Sequence, residues 1–99
     1  MDTTFTEELL RQLKQAEDVT GVSELRLAEQ ARAQGGVRAV REYLRRGQVS
    51  RQFLPLKEKG RLELSPENLV IQGKYAALFS DEEVNACLDA LLEAGFFRR

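Results

Sequence analysis

Phe5, Leu9, Leu13, Ala16, Val19, Leu27 and Ala31 recur at helical spacing and draw one apolar stripe along the first third of the chain. Thr4 and Thr6 are candidate caps at its start, and Glu7 and Glu8 fall in the first turn, where the helix dipole favours acid. Gly21 sits in the middle, where glycine costs about 1 kcal/mol against alanine in a helix interior. The stripe stays in phase across it. The pattern therefore favours one bent helix from about residue 5 to 34 over two helices parting near Val19–Val22 with Ser23 as the second cap.

Gly35-Gly36 stops that helix, and a second runs from Val37 to about Arg46. Val37, Val40, Tyr43 and Leu44 face inward, Arg38, Arg41 and Arg45 lie on the opposite side, and Gly47 closes the element. Ser50 is the expected cap of a short helix over Arg51–Lys59 that carries Phe53, Leu54 and Leu56. Pro55 confines itself to the first turns of that helix, since deeper in it would remove a hydrogen bond. Arg61-Leu62-Glu63-Leu64 alternates and predicts an extended segment with both leucines turned inward. Ser65-Pro66 starts a short helix with Leu69, Val70 and Ile71, which Gly73 breaks, and Tyr75 to Phe79 form a further apolar turn. Ser80-Asp81-Glu82-Glu83 has the form of a capping box for a last helix over Asp81–Ala94. That helix buries Val84, Cys87, Leu88 and Leu91 and exposes Glu82, Asn85, Asp89 and Glu93; Gly95 ends it, before Phe96-Phe97-Arg98-Arg99.

These elements predict an all-α, single-domain protein: a long N-terminal helical arm, residues 1–34, packed on a compact cluster of four to five short helices, residues 35–99. The expected core is Leu9, Leu13, Ala16, Leu27, Ala31, Val37, Val40, Leu44, Phe53, Leu56, Leu62, Leu64, Leu69, Val70, Tyr75, Leu78, Phe79, Val84, Cys87, Leu88 and Leu91.

The length of 99 residues is enough for one core and leaves no room for a separate catalytic domain. No apolar run is long enough to span a membrane, and Met1-Asp2-Thr3-Thr4 lacks a signal-peptide layout, so the expected location is cytoplasmic. The one cysteine, Cys87, excludes an internal disulfide and falls on the inward side of its helix. There is no histidine, which removes the usual general base, His-activated nucleophiles and His-ligated zinc. The expectation is a non-enzymatic chain with no cofactor and no metal.

Charge adds the first functional feature. The net charge is −1, yet residues 35–61 hold eight basic and two acidic side chains between two acidic arms. Arg38, Arg41, Arg45, Arg46 and Arg51, with Lys57, Lys59 and Arg61, form a candidate binding segment. Glu42, four residues from both Arg38 and Arg46, is placed for ordinary helix ion pairs. No stacking platform, Gly-rich phosphate loop or helix-turn-helix signature accompanies the basic residues. The leading expectation is a protein-interaction module that docks on a larger protein or nucleoprotein through the Arg38/Arg41/Arg45 ridge or the exposed side of the first helix. The alternative is direct nucleic-acid binding through residues 38–61. The long first helix is also a candidate homodimer face. Asp89 and Glu93 make an exposed acidic pair that no cap explains. Tyr43 and Tyr75 read as core-edge residues, and Phe96-Phe97 either folds back on the core or covers a partner.

Several blocks occur together in a fixed order. Gly35-Gly36-Val37 leads into the Arg-rich helix, and Ser50 precedes Phe53. Gly60-Arg61-Leu62-Glu63-Leu64-Ser65 and Glu67-x-Leu69-Val70 follow, then Leu78-Phe79-Ser80-Asp81-Glu82-Glu83. In this order residues 35–95 resemble a small bacterial helical family of uncharacterised function that is often carried on mobile elements. The resemblance implies an accessory or inhibitory role for such an element and supplies no active site.

Overall fold

Gly21, with φ at +73°, ends the first helix, and the chain turns there into a short link before helix resumes at Leu25. This corrects the expectation of one bent helix to residue 34. Thr20 completes the stop: its hydroxyl donates to the Ala16 carbonyl at 2.7 Å and accepts the Val22 N–H at 3.0 Å. Ser23 accepts the Leu25 N–H at 3.1 Å. The stripe stays in phase because both pieces lie on one core, not because the backbone is continuous.

The computed structural model describes residues 3–96. It contains α1 (Thr3–Thr20), α2 (Leu25–Gln34), α3 (Gly36–Arg45), α4 (Phe53–Lys59), a 3-10 turn (Leu62–Leu64), α5 (Pro66–Val70), α6 (Gly73–Ala76) and α7 (Asp81–Glu93). No strand occurs among the described residues, so the chain is all-α with a long N-terminal helix on shorter ones. The Leu62–Leu64 segment is a 3-10 turn and not extended as expected; Leu62 and Leu64 are nevertheless both buried. Gly73 opens α6 where the sequence predicted only a break. The two serine caps form as predicted. Ser65 accepts the Asn68 N–H at 3.2 Å, and Ser80 and Glu83 make the reciprocal capping box.

α1 is the spine. Its Phe5, Leu9 and Leu13 enter one apolar cluster with residues of α2, α3, α5, α6 and α7, while Ala16 enters a second with Phe53, Leu56, Leu62, Leu64 and Leu91. Phe5 lies edge-on to Tyr75 at 5.1 Å and to Phe79 at 5.4 Å. The Tyr75 hydroxyl donates to Glu8 on α1. At the other side of Phe5 the chain needs glycine. A Cβ on Gly36 would sit 3.0 Å from both the Phe5 ring and the Thr6 Cα, and the Gly36 N–H donates to the Thr6 hydroxyl at 2.7 Å. α1 and α3 therefore cross with almost no space between them.

Most of the expected core is buried. Val37, Leu78, Val84 and Leu88 are only half-buried, and Phe5 and Ala39 are buried in addition. Phe96 folds back against the second cluster; Phe97, Arg98 and Arg99 lie outside the described residues. No helix among the described residues is long and apolar enough to cross a membrane.

Candidate interaction surface

The amphipathic pattern of α3 decides where its arginines go. Ala39, Val40 and Leu44 are buried, which turns Arg38, Arg41 and Arg45 outward on successive turns. The three line one shallow groove of about 410 Å³ along the helix, with Val37 and Glu42. Arg41 is fixed from below: its Nε donates to Glu83 Oε2 at 2.9 Å, which ties α3 to the first turn of α7. Burial alone would raise the Glu83 carboxyl. The Ser80 amide and the Arg41 guanidinium outweigh it and hold the group below the usual carboxylate range. Arg38 and Arg45 make no ion pair among the described residues, and Glu42 pairs with neither Arg38 nor Arg46, contrary to its helix spacing. Arg38 and Arg45 thus flank an anchored arginine without a close ion-pair partner among the described residues, with Glu42 in the same groove.

The predicted basic segment does not form one surface. Arg46 and Arg51 turn to the other flank of α3 and line a larger cleft of about 870 Å³ between α2, α3 and the link to α4. Lys57 and Lys59 occupy the last turn of α4, where the helix dipole favours them. Arg61 pairs with Glu63 at 2.6 Å. Lys57 and Arg61 line neither the groove nor the cleft.

The link from α3 to α4 is held by buried polar groups that the sequence did not signal. Glu67, read from sequence only as part of a helix start, is 0% exposed. Its carboxylate accepts the Ser50 N–H at 2.7 Å and the Ser50 hydroxyl at 3.0 Å. Ser50 is therefore not a side-chain cap of α4, as expected; only its carbonyl takes the Phe53 N–H. The Gln52 N–H at the start of α4 is taken instead by Glu24 Oε2 at 2.9 Å. Gln52 itself is fully buried, and its amide donates to the carbonyls of Leu13 and Val22. Burial pushes the carboxyls of both Glu67 and Glu24 above the usual range, partly offset by the N–H groups they accept. The Tyr43 hydroxyl is buried beside the Glu67 carboxylate, short of hydrogen-bond geometry; burial and that charge push the phenol well up. Cys87 is buried in the core, and burial with the Glu67 and Glu83 charges raises its thiol, which disfavours the thiolate that nucleophilic attack needs. No group of three metal-ligating side chains occurs among the described residues.

Comparison with family models, curated proteins and solved structures returned no match.

Proposed function

We propose that this chain is a non-enzymatic protein-interaction module that docks an acidic surface of a larger protein or nucleoprotein onto the outer face of α3. The observation that carries the reading is that Arg38, Arg41 and Arg45 line one groove, with Arg41 pinned by Glu83 and the other two without an ion pair among the described residues. A fixed central guanidinium lowers the cost of ordering the site, and unpaired flanking arginines bring charge that a carboxylate-rich partner complements. The resemblance of residues 35–95 to a bacterial module of mobile elements is what extends this reading to an accessory or inhibitory protein of such an element.

Direct nucleic-acid binding is the second reading, since the same arginines suit phosphate. What weighs against it is the dispersal of the basic segment: Arg46 and Arg51 point to a different flank from the ridge, and Arg61 is paired. Affinity capture from nuclease-treated source-cell lysate separates the two readings. The wild-type chain is expected to retain a discrete protein that an Arg38→Ala, Arg41→Ala, Arg45→Ala variant loses. Loss of all captured material on nuclease treatment would favour nucleic acid, and equal capture by the variant would remove the ridge from the account.

A further inference from the structure

α7 is strongly one-sided in charge: it carries five acidic side chains and no basic one. Asp81, Glu82 and Glu83 lie in the first turn, where the helix dipole favours acid, and Glu83 is taken by the cap and by Arg41. Asp89 and Glu93 have no such reason to be there. Glu93 closes the helix, at the end where the dipole disfavours a carboxylate, and it stands four residues from Asp89, so two like charges share one side. Both are exposed, and neither makes an ion pair among the described residues. Two locally unfavourable charges on a well-capped helix call for cations from outside its own turns.

Burial of Glu83, Cys87 and Leu91 fixes which way the acids face. It turns Glu82, Asp89 and Glu93 outward along one line, with the exposed Asn85 and Ala86 between the first two. The arginines of α3 repeat this layout with the opposite sign. Arg38 and Arg45 are seven residues apart, as are Glu82 and Asp89, an interval of about 10.5 Å along either helix. Midway between the arginines stands Arg41, already paired with Glu83; midway between the acids stand neutral Asn85 and Ala86. The match holds in both directions, because Arg41 falls opposite Asn85 if the helices run parallel and opposite Ala86 if they run antiparallel. Each surface also carries an excess of its own sign. The groove has three arginines against Glu42, and the outward line of α7 has three acids and no base. Within one molecule Arg41–Glu83 is the one ion pair between the two helices among the described residues, and it holds them side by side.

We propose that the Arg38/Arg41/Arg45 ridge of one copy seats on the Glu82/Asp89/Glu93 face of a second copy of this chain, and that the contact is reciprocal, giving a two-fold dimer. Arg38 and Arg45 meet Glu82 and Asp89 of the other copy. Exposed ion pairs are individually weak and are screened by salt, so the dimer is a low-affinity, salt-sensitive one. The inference rests on the reading of the ridge as a docking surface and goes beyond it: the second copy covers the ridge, and an acidic partner competes with it.

Sedimentation equilibrium of the full chain at about 0.01 M and about 1 M salt tests this, since the screening length falls from about 30 Å to about 3 Å between them. A monomer–dimer equilibrium is expected at low salt, weakened at least about tenfold at high salt. Reversal of the ridge (Arg38→Glu, Arg45→Glu) or of the acidic face (Glu82→Arg, Asp89→Arg) should abolish the dimer. An equimolar mixture of the two variants should restore it, because every contact is then re-paired with opposite sign. Lys57→Glu, Lys59→Glu changes the net charge as much as the ridge variant does, but on α4, and should dimerise as the wild type does. All these positions are exposed, so the variants fold; far-ultraviolet circular dichroism checks this, and Asp89→Arg, Glu93→Arg stands in for the face variant. A wild type that stays monomeric at low salt, a dimer indifferent to salt or to either reversal, a mixture that stays monomeric, or loss of the dimer in the α4 variant would overturn the proposal. A monomeric wild type whose ridge still captures a protein from lysate would overturn the second copy and leave the docking reading standing; a dimer whose ridge captures nothing would do the reverse.

Discussion

Gly36 shows how much a single absent methyl group decides. Its φ is negative, so alanine could adopt the backbone; the obstacle is the Thr6 Cα and the Phe5 ring, both 3.0 Å from where a Cβ would be. A flexible side chain could move aside, but the α1 backbone cannot move without disturbing the Phe5 contacts with Tyr75 and Phe79. Gly36→Ala is expected to destabilise the protein by about 1–3 kcal/mol, the usual cost of forcing extra volume into a packed site. Urea unfolding measures this, and an unchanged midpoint would show that α1 and α3 are free to separate. Gly21 makes the opposite case. A Cβ there would meet nothing within 4 Å, and only its positive φ requires glycine. In the sequence the two glycines look alike. One punctuates a helix and the other allows two helices to touch, and that difference depends on Thr6, thirty residues away.

At the scale of elements, the parts legible in the sequence were those fixed by neighbours along the chain. Ser65-Pro66 and the Ser80–Glu83 box declare helix starts because the cap and the N–H it accepts are three residues apart. The α3–α4 link was misread for the converse reason. Ser50 has the residue type of a cap, but Glu67 claims its hydroxyl from α5, and Glu24, just before α2, claims the N–H at the start of α4. No local pattern announces a buried glutamate whose partner is seventeen residues distant.

That link carries a pH signature with a definite sign. The folded-state Glu67 carboxyl lies above its ordinary value of 4.5 because burial disfavours its charge. Between the unfolded and folded values the native state holds the extra proton, so the contribution of Glu67 is full below the unfolded value and is lost as pH rises through the folded one. Glu24 acts in the same direction. Glu83, held low, acts in the opposite one, its contribution being lost as pH falls. Glu67→Gln isolates the first effect. Glutamine can accept the Ser50 N–H and donate to its hydroxyl without a charge. From about pH 4 to about pH 8 the stability of the variant relative to wild type is therefore expected to rise. A difference that stays flat with pH in paired urea titrations would show that Glu67 is not the buried acid described.

On the scale of the whole molecule, the charge pattern of the sequence sorts into separate surfaces. The basic middle of the chain becomes a ridge on one flank of α3, the arginines of a cleft on the other, and the cationic end of α4. Helical spacing was enough to put Arg38, Arg41 and Arg45 together. It was not enough to reveal that Arg46 and Arg51 would join Leu25 and Val49, since that meeting needs the turn at Gly21 that swings α2 alongside α3. The acidic arms did not cancel the ridge as a block: α7 contributes one close pair, Arg41 with Glu83, and leaves Asp81, Glu82, Asp89 and Glu93 exposed. The molecule thus displays on α3 arginines with no ion pair among the described residues, and display of this kind is what the interaction reading requires.

The most direct measurement is site-specific photocrosslinking in the source cell, with a photoreactive residue placed in turn at positions 38, 45, 57 and 61. Docking of a protein on the α3 ridge predicts adducts of one discrete protein from positions 38 and 45 and none from 57 and 61. Adducts confined to positions 57 and 61, or adducts at 38 and 45 that nuclease digests away, would contradict it.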